Sequence, residues 1–281
     1  MTESVPKRHP RTTLGTVILN APYTLWAAVF IVVPLAIVAY YAFTDVNGAF
    51  TLENIKALGD YKETFIISIW YSLIATAITL ILAYPFAFFM SRAKVSRQKF
   101  MMMLVMLPMW MNLLIRTYSW MLILEKNGII NNLLGMVGID EIKMIGTPGA
   151  VILGMVYNYL PYMILPIYTV MSKIDPSLYE AAEDLGCGTW QKLRRVVLPL
   201  SLPGVISGIT MVFVPSISTF YISYKLGGGK VQLIGDAIER QIQSAGNYNL
   251  GSSLSLILMV FILISLAVMN KFSDNDGGIV V

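Results

Sequence analysis

Eight side chains in this sequence have the types suited to holding a ligand: Trp110, Tyr118, Glu125, Tyr157, Asn158, Tyr162, Tyr221 and Tyr224. Aromatic faces attract cations through the ring quadrupole, and a carboxylate or amide oxygen completes a cation's shell. The chemistry they imply is non-covalent recognition of a positively charged solute. Covalent chemistry lacks its parts. The chain has one cysteine, Cys187, and one histidine, His9, so there is no internal disulfide framework and no set of metal ligands by spacing. The apolar runs contain no Asp, Glu, His or Cys, which leaves an intramembrane enzyme without a catalytic cluster. The one Gly-Lys pair, Gly229-Lys230, is followed by Val231 and preceded five positions earlier by Tyr224, so a phosphate-binding G-x-x-x-x-G-K-[ST] loop is missing. Catalytic and metal residues are therefore expected to be none.

The elements that must position these side chains are membrane spans. The chain of 281 residues is 56% hydrophobic and 13% charged, with a mean hydropathy of +0.68, outside the balance of a water-soluble domain. A bilayer core of about 30 Å takes about 20 apolar residues as helix. Six segments qualify, roughly 17–43, 64–90, 100–124, 149–171, 200–224 and 250–270. An all-α integral membrane domain over 17–270 is expected, flanked by tails at 1–16 and 271–281. The first apolar run is too long for a cleaved leader and lacks a small-residue cleavage site.

Lys and Arg in the connections predict the orientation. The N-terminal tail, the loops 91–99 and 172–199, and the C-terminal tail together carry twelve; the three alternate loops carry seven. Both termini are thus expected in the cytoplasm. The formal charge of +4 is spread over these connections rather than along one face, so nucleic acid is not an expected partner and lipid is.

In the third span Met111, Tyr118, Leu122 and Glu125 share a helical face, with Trp110 close by. In the fourth, Tyr157, Pro161 and Tyr168 share one face, with Asn158 and Tyr162 on the adjoining one. The fifth offers Ser218, Tyr221 and Tyr224 toward its outer end. Taken singly, each fits an interfacial belt or helix packing better than a pathway; their recurrence in three spans raises the pathway reading. Glu125 with Tyr118 and Tyr221 is expected to meet the solute first. Arg116 is the one charge within a span. It is expected to be structural, satisfied by helix carbonyls or by a carboxylate such as Asp45, Glu125 or one from a second chain.

Between the fourth and fifth spans lies a charged, glycine-punctuated segment. Asp175-Pro176 is a helix start, Gly186 a left-handed stop, and Thr189 a second cap for a short helix ending at Pro199. On the first helix Leu178, Ala181, Ala182 and Leu185 line one face. Glu180 opposite it argues against lying flat on anionic lipid and for a protein partner. The order Glu180-Ala181-Ala182, three residues, Gly186, nine residues, then Val196-Val197-Leu198-Pro199 resembles the EAA motif of permease subunits in ATP-binding-cassette importers. That resemblance implies the six-helix type I (MetI-like) importer architecture with a cytoplasmic coupling helix, and Glu180, Ala181, Ala182 and Gly186 as the positions coupled to a cytosolic ATPase. It also implies a related second permease, an ATPase pair carrying ATP and Mg, and an extracytoplasmic solute-binding protein, in a bacterial cytoplasmic membrane.

The runs LPMWMNLLIRTYSW (107–120), EKNG (125–128) and FYISYKLGGGKVQLIGDAI (220–238) are similar to the permeases of polyamine (spermidine/putrescine) importers over nearly the whole chain. A polyamine-binding protein is then the implied extracytoplasmic partner. Where such permeases often carry an aspartate after Phe-Tyr-aliphatic-Ser, this chain has Tyr224 and Lys225. Related permeases for ferric iron, thiamine or an organic cation form the alternative. An ion-driven transporter fits less, for want of an intramembrane carboxylate or inverted repeat.

Overall fold

The computed structural model describes residues 14–276. The tail bearing Lys7, Arg8, His9 and Arg11, and the last five residues, lie outside them. Every named element of the described chain is helical, and the single β contact is an isolated bridge between Thr44 and Phe50. Five helices are long and apolar enough to cross a membrane, or six when a bent pair counts as one span.

The first span joins helix Leu14–Ala27, a π-turn Ala28–Val32 and helix Val33–Ala42. The second is Lys62–Arg92, the fourth Pro148–Met171 and the sixth lies in helix Tyr248–Asp276. The helix at the C-terminus thus runs on into the Asp-Asn-Asp stretch. Second, fourth and fifth spans form the centre, where small residues let backbones meet without a hydrophobic driving force. Ala75, Ala83 and Ala87 of the second are fully buried. Gly204 and Gly208 of the fifth face the fourth, where an added Cβ would sit 2.9 Å from the Pro166 carbonyl and 2.6 Å from Met163 Sδ. Polar ties join these spans as well: Tyr84 OH and Ser201 Oγ lie 3.0 Å apart, and Tyr159 OH donates to the Pro215 carbonyl at 3.2 Å.

Two spans differ from a straight helical reading. The third consists of Val95–Trp110 and Leu113–Leu124, and Val95–Trp110 meets the limb Leu113–Met136 at a bend of 91°. Met111 and Asn112 are extended, and Asn112 Oδ1 accepts from Leu114 N at 2.7 Å, so an asparagine cap restarts the helix inside an apolar run. Met111 consequently leaves the face shared by Tyr118 and Leu122. The helix after Gly188 does not stop at Pro199; it continues from Thr189 to Ile217 as the fifth span. A π-turn at Leu193–Val197 directly precedes Leu198-Pro199, as the one at Ala28–Val32 precedes Val33-Pro34. The wider turn makes room for a ring that has no N–H to donate. Beyond Ile217 the chain breaks, and Tyr221–Leu226 is a separate short helix.

Candidate functional site

Alternation of the spans gives the bundle two functional ends. At one end lie the 91–99 and 172–199 connections. There Asp175 Oδ1 accepts from Ser177 N at 2.9 Å, a bond that holds its carboxyl below the usual carboxylate range, and Pro176 opens the helix Pro176–Asp184. Gly186 adopts φ +75°. Its N–H donates to the Glu183 carbonyl at 2.8 Å and that of Cys187 to the Ala182 carbonyl at 2.9 Å, the paired bonds of a left-handed helix stop. Glu183 also forms an ion pair with Lys192, which lowers its carboxyl titration and ties the helix to the base of the fifth span.

The sequence-based apolar face is only partly satisfied within the chain. Ala182 is buried together with Tyr179, whose ring lies under the Arg92 guanidinium at 3.1 Å from the centroid. Glu180, Ala181 and Gly186 are exposed, as are Leu178 and, at 83%, Leu185. Leu178, Ala181 and Leu185, spaced three and four apart, therefore form a free surface whose underside is pinned to the second span.

At the other end are the connections 44–61, 125–147 and 218–247. Tyr118 from the second limb of the bent span and Tyr221 and Tyr224 from the short helix surround the ammonium of Lys225. Nζ lies 5.4, 5.9 and 5.3 Å from their ring centroids, inside the range of a cation–π contact. Beside Lys225 opens a cavity of about 370 Å³, lined by Phe220, Tyr221, Tyr224, Asp236, Glu239 and Arg240 among others. Asp236 is only 7% exposed. Its Oδ2 accepts from Leu233 N at 2.9 Å, while Oδ1 is buried with no partner. Burial is the main cause that pushes its carboxyl up to about 6, opposed by the Leu233 amide, Ser223 and Arg240.

The loop carrying Asp236 is folded into the bundle. Leu233 and Ile234 are fully buried, and Ile234 N donates to Ser68 Oγ of the second span at 2.8 Å. A Cβ on Gly235 would come 2.7 Å from the Ser218 carbonyl, so the close approach requires glycine there.

The remaining sequence candidates do not converge on this cluster. Trp110 ends the first limb of the bent span and is 74% exposed. Tyr157 packs edge-on against Trp120 at 5.3 Å, and Tyr162 against Tyr159 at 6.4 Å. Asn158 is buried, with Nδ2 donating to the Gly154 carbonyl at 2.8 Å and Oδ1 unpartnered. Glu125 is exposed at the end of helix Leu113–Leu124, where its backbone carbonyl accepts from Gly128 N and Asn131 Nδ2. Arg116 is 7% exposed, and its Nε and Nη1 find no acceptor. Asp45 accepts instead from Asn47 N and Ala49 N of its own turn. Sequence reasoning had no candidate in Asp236, Glu239, Arg92 or Tyr179. Only the unusual acid-bearing stretch GDAIE (235–239) after a glycine turn hinted at the first two.

Known proteins resemble this chain in sequence and in fold. The model of the family described as binding-protein-dependent transport system inner membrane component matches residues 83–274. The spermidine/putrescine transport system permease protein PotB of Haemophilus influenzae is 38% identical over 247 residues, covering 84% of this chain and 86% of that protein. PotB of Escherichia coli is 35% identical over 245 residues, covering 84% and 89%. The crystal structure of a bacterial ABC transporter that imports the acidic polysaccharide alginate has a chain that superposes with a TM-score of 0.74 at 18% identity, covering 92% of this chain and 94% of that one. That superposition speaks for the fold, and the glycine-stopped helix before the fifth span falls within the 83–274 match to the family model. The chain is a multi-pass membrane protein of the family of binding-protein-dependent transport system inner membrane components.

Proposed function

We propose that this chain is a permease subunit of an ATP-driven importer, and that it carries polyamines of the spermidine and putrescine type across the cytoplasmic membrane by alternating access. The observation that carries the substrate reading is the tyrosine cluster around an ammonium, set beside a cavity with a buried, half-partnered carboxylate. Rings and carboxylates are what a flexible polycation needs once it leaves water. The resemblance to two PotB permeases over more than four fifths of the chain supports the same solute class.

On this reading the loop 172–199 faces the cytoplasm with both termini, as the excess of Lys and Arg supports. Leu178, Ala181 and Leu185 then offer the docking surface for one subunit of an ATPase pair that binds ATP and Mg, while a second, related permease completes the pathway. Glu180, Ala181, Ala182 and Gly186 serve as the coupling positions. Trp110, Tyr157, Asn158 and Tyr162 are pathway positions only where the second permease brings them to the channel. The solute arrives on an extracytoplasmic binding protein.

Lys225 favours the one competing reading, a permease of the same family for a different small solute, because a fixed ammonium repels a free one. Purifying the binding protein that associates with this chain and titrating it calorimetrically with spermidine, putrescine, thiamine and ferric ion tests the choice. Saturable binding of a polyamine alone is expected; binding of one of the others in its place contradicts the polyamine reading.

A further inference from the structure

The lysine that looks out of place is chemically the same as the proposed cargo. A lysine side chain is four methylenes ending in a primary ammonium, which is the aminobutyl unit of putrescine and of one arm of spermidine. In this chain that unit lies with its ammonium among the rings of Tyr118, Tyr221 and Tyr224, at 5.3 to 5.9 Å from each centroid. No carboxylate among the described residues forms an ion pair with Lys225. The rings are therefore its resolved electrostatic partners, and the adjoining cavity is lined by Asp236, whose Oδ1 is buried without a partner, together with Glu239 and Arg240.

We propose that Tyr118, Tyr221 and Tyr224 form a primary-ammonium site, that Lys225 is its tethered occupant, and that a substrate ammonium gains the site by displacing Lys225. The inference rests on the polyamine reading and adds to it a residue that sets specificity. An occupied site rejects weak competitors, since an incoming cation must offer more than the lysine it replaces. A solute with a second ammonium does so, because that group reaches the adjoining cavity, where Asp236 and Glu239 supply acceptors. A monoamine has nothing to place there. When Lys225 leaves the rings its flexible stem carries the ammonium toward solvent, as exposed lysines do.

Two measurements on the complete complex in proteoliposomes test this. In the first, uptake kinetics are compared for wild type, Lys225→Met, Tyr118→Leu/Tyr224→Leu and the triple variant. Lys225→Met is expected to lower the KM for putrescine by roughly threefold or more, the scale of a cation–π contact, and to admit butylamine. In the background without the two nearer rings, where Tyr221 alone remains, the same change is expected to alter KM far less. A Lys225→Met effect that persists undiminished there means repulsion through space and overturns the site, as does an unchanged KM in a stably assembled Lys225→Met complex.

The second measurement needs no variant. Acylation of Lys225 by a water-soluble amine reagent in excess over the solute, scored by peptide mass spectrometry relative to acylation of the exposed Lys126 in the same sample, is expected to rise when saturating putrescine and its binding protein are present. Protection, or no change, overturns the displacement. Absence of any polyamine uptake by wild type instead removes the reading beneath the inference, and that outcome is scored before the variants are compared.

Discussion

The Arg92 guanidinium carbon sits over the Tyr179 ring, 3.1 Å from the centroid, and so joins the end of the second span to the helix that carries Glu180-Ala181-Ala182. A cation over a ring contributes about 0.5–2 kcal/mol, more as water is excluded. The Tyr179 hydroxyl is buried without a partner. Tyr179→Phe is therefore expected to keep transport and hold or slightly raise thermal stability, because it removes an unsatisfied group worth about 1 kcal/mol. Tyr179→Ala is expected to lower transport several-fold while ATP hydrolysis continues, since the helix proposed to dock the ATPase loses its tie to the second span. The ratio of solute moved to ATP hydrolysed, measured on the same vesicles, distinguishes this from simple misfolding.

At Gly186 the backbone sits at φ +75° and an added Cβ would meet no atom of the described residues within 4 Å beyond its own chain neighbours. Gly186→Ala should cost the isolated chain only the left-handed backbone term, about 1–2 kcal/mol. Any larger loss seen in the assembled complex measures contact with a partner. Gly186→Asp should abolish transport while leaving membrane insertion intact, and thermal unfolding of chain and complex compared side by side reads the difference.

Asp236 gives a pH dependence of known sign. Its carboxyl is raised to about 6 from an ordinary value near 4, chiefly by burial. The folded state therefore favours the protonated form, and ionisation costs stability, fully so above pH 6 and not at all below the unfolded value. Asp236→Asn should raise stability by roughly 2 kcal/mol at pH 8, with the gain vanishing toward pH 4. Cation recognition runs the other way. It needs the ionised carboxylate and is expected to weaken as pH falls through 6 in wild type, with a flatter profile in Asp236→Asn. Uptake and melting temperature measured from pH 5 to 8 read both trends.

Arg116 has two buried donors without acceptors among the described residues. Buried polar groups are almost always paired, so the acceptor is expected from the second permease. Arg116→Met should leave the isolated chain as stable or more so, since an unpaired buried cation is lost, while reducing the amount of second permease that co-purifies. Unchanged co-purification shows that the guanidinium is satisfied elsewhere.

The helix between the fourth and fifth spans was legible because its signals are local. Asp175 caps, Pro176 starts and Gly186 stops a helix whatever surrounds them, and all three do so in the structure. The six apolar runs were legible for the same reason. The break at Met111-Asn112 was not, because one asparagine in an apolar run reads as a tolerated polar residue until its side chain is seen capping Leu114. Asp236 was invisible for a different reason. Its burial is imposed by Leu233 and Ile234 docking on a span some 166 positions away in sequence, and no periodicity in a loop announces that. Lys225 stood out in the sequence as a misfit; its rings come from two separate helices, and only their meeting gives it a role.

The most direct test of the central claim is uptake of radiolabelled spermidine and putrescine into proteoliposomes containing the whole complex, with its binding protein outside and ATP inside. Saturable accumulation that needs both ATP and the binding protein, and that fails in Gly186→Asp, is the predicted result. No polyamine accumulation by a complex that hydrolyses ATP and accumulates another solute would contradict the account.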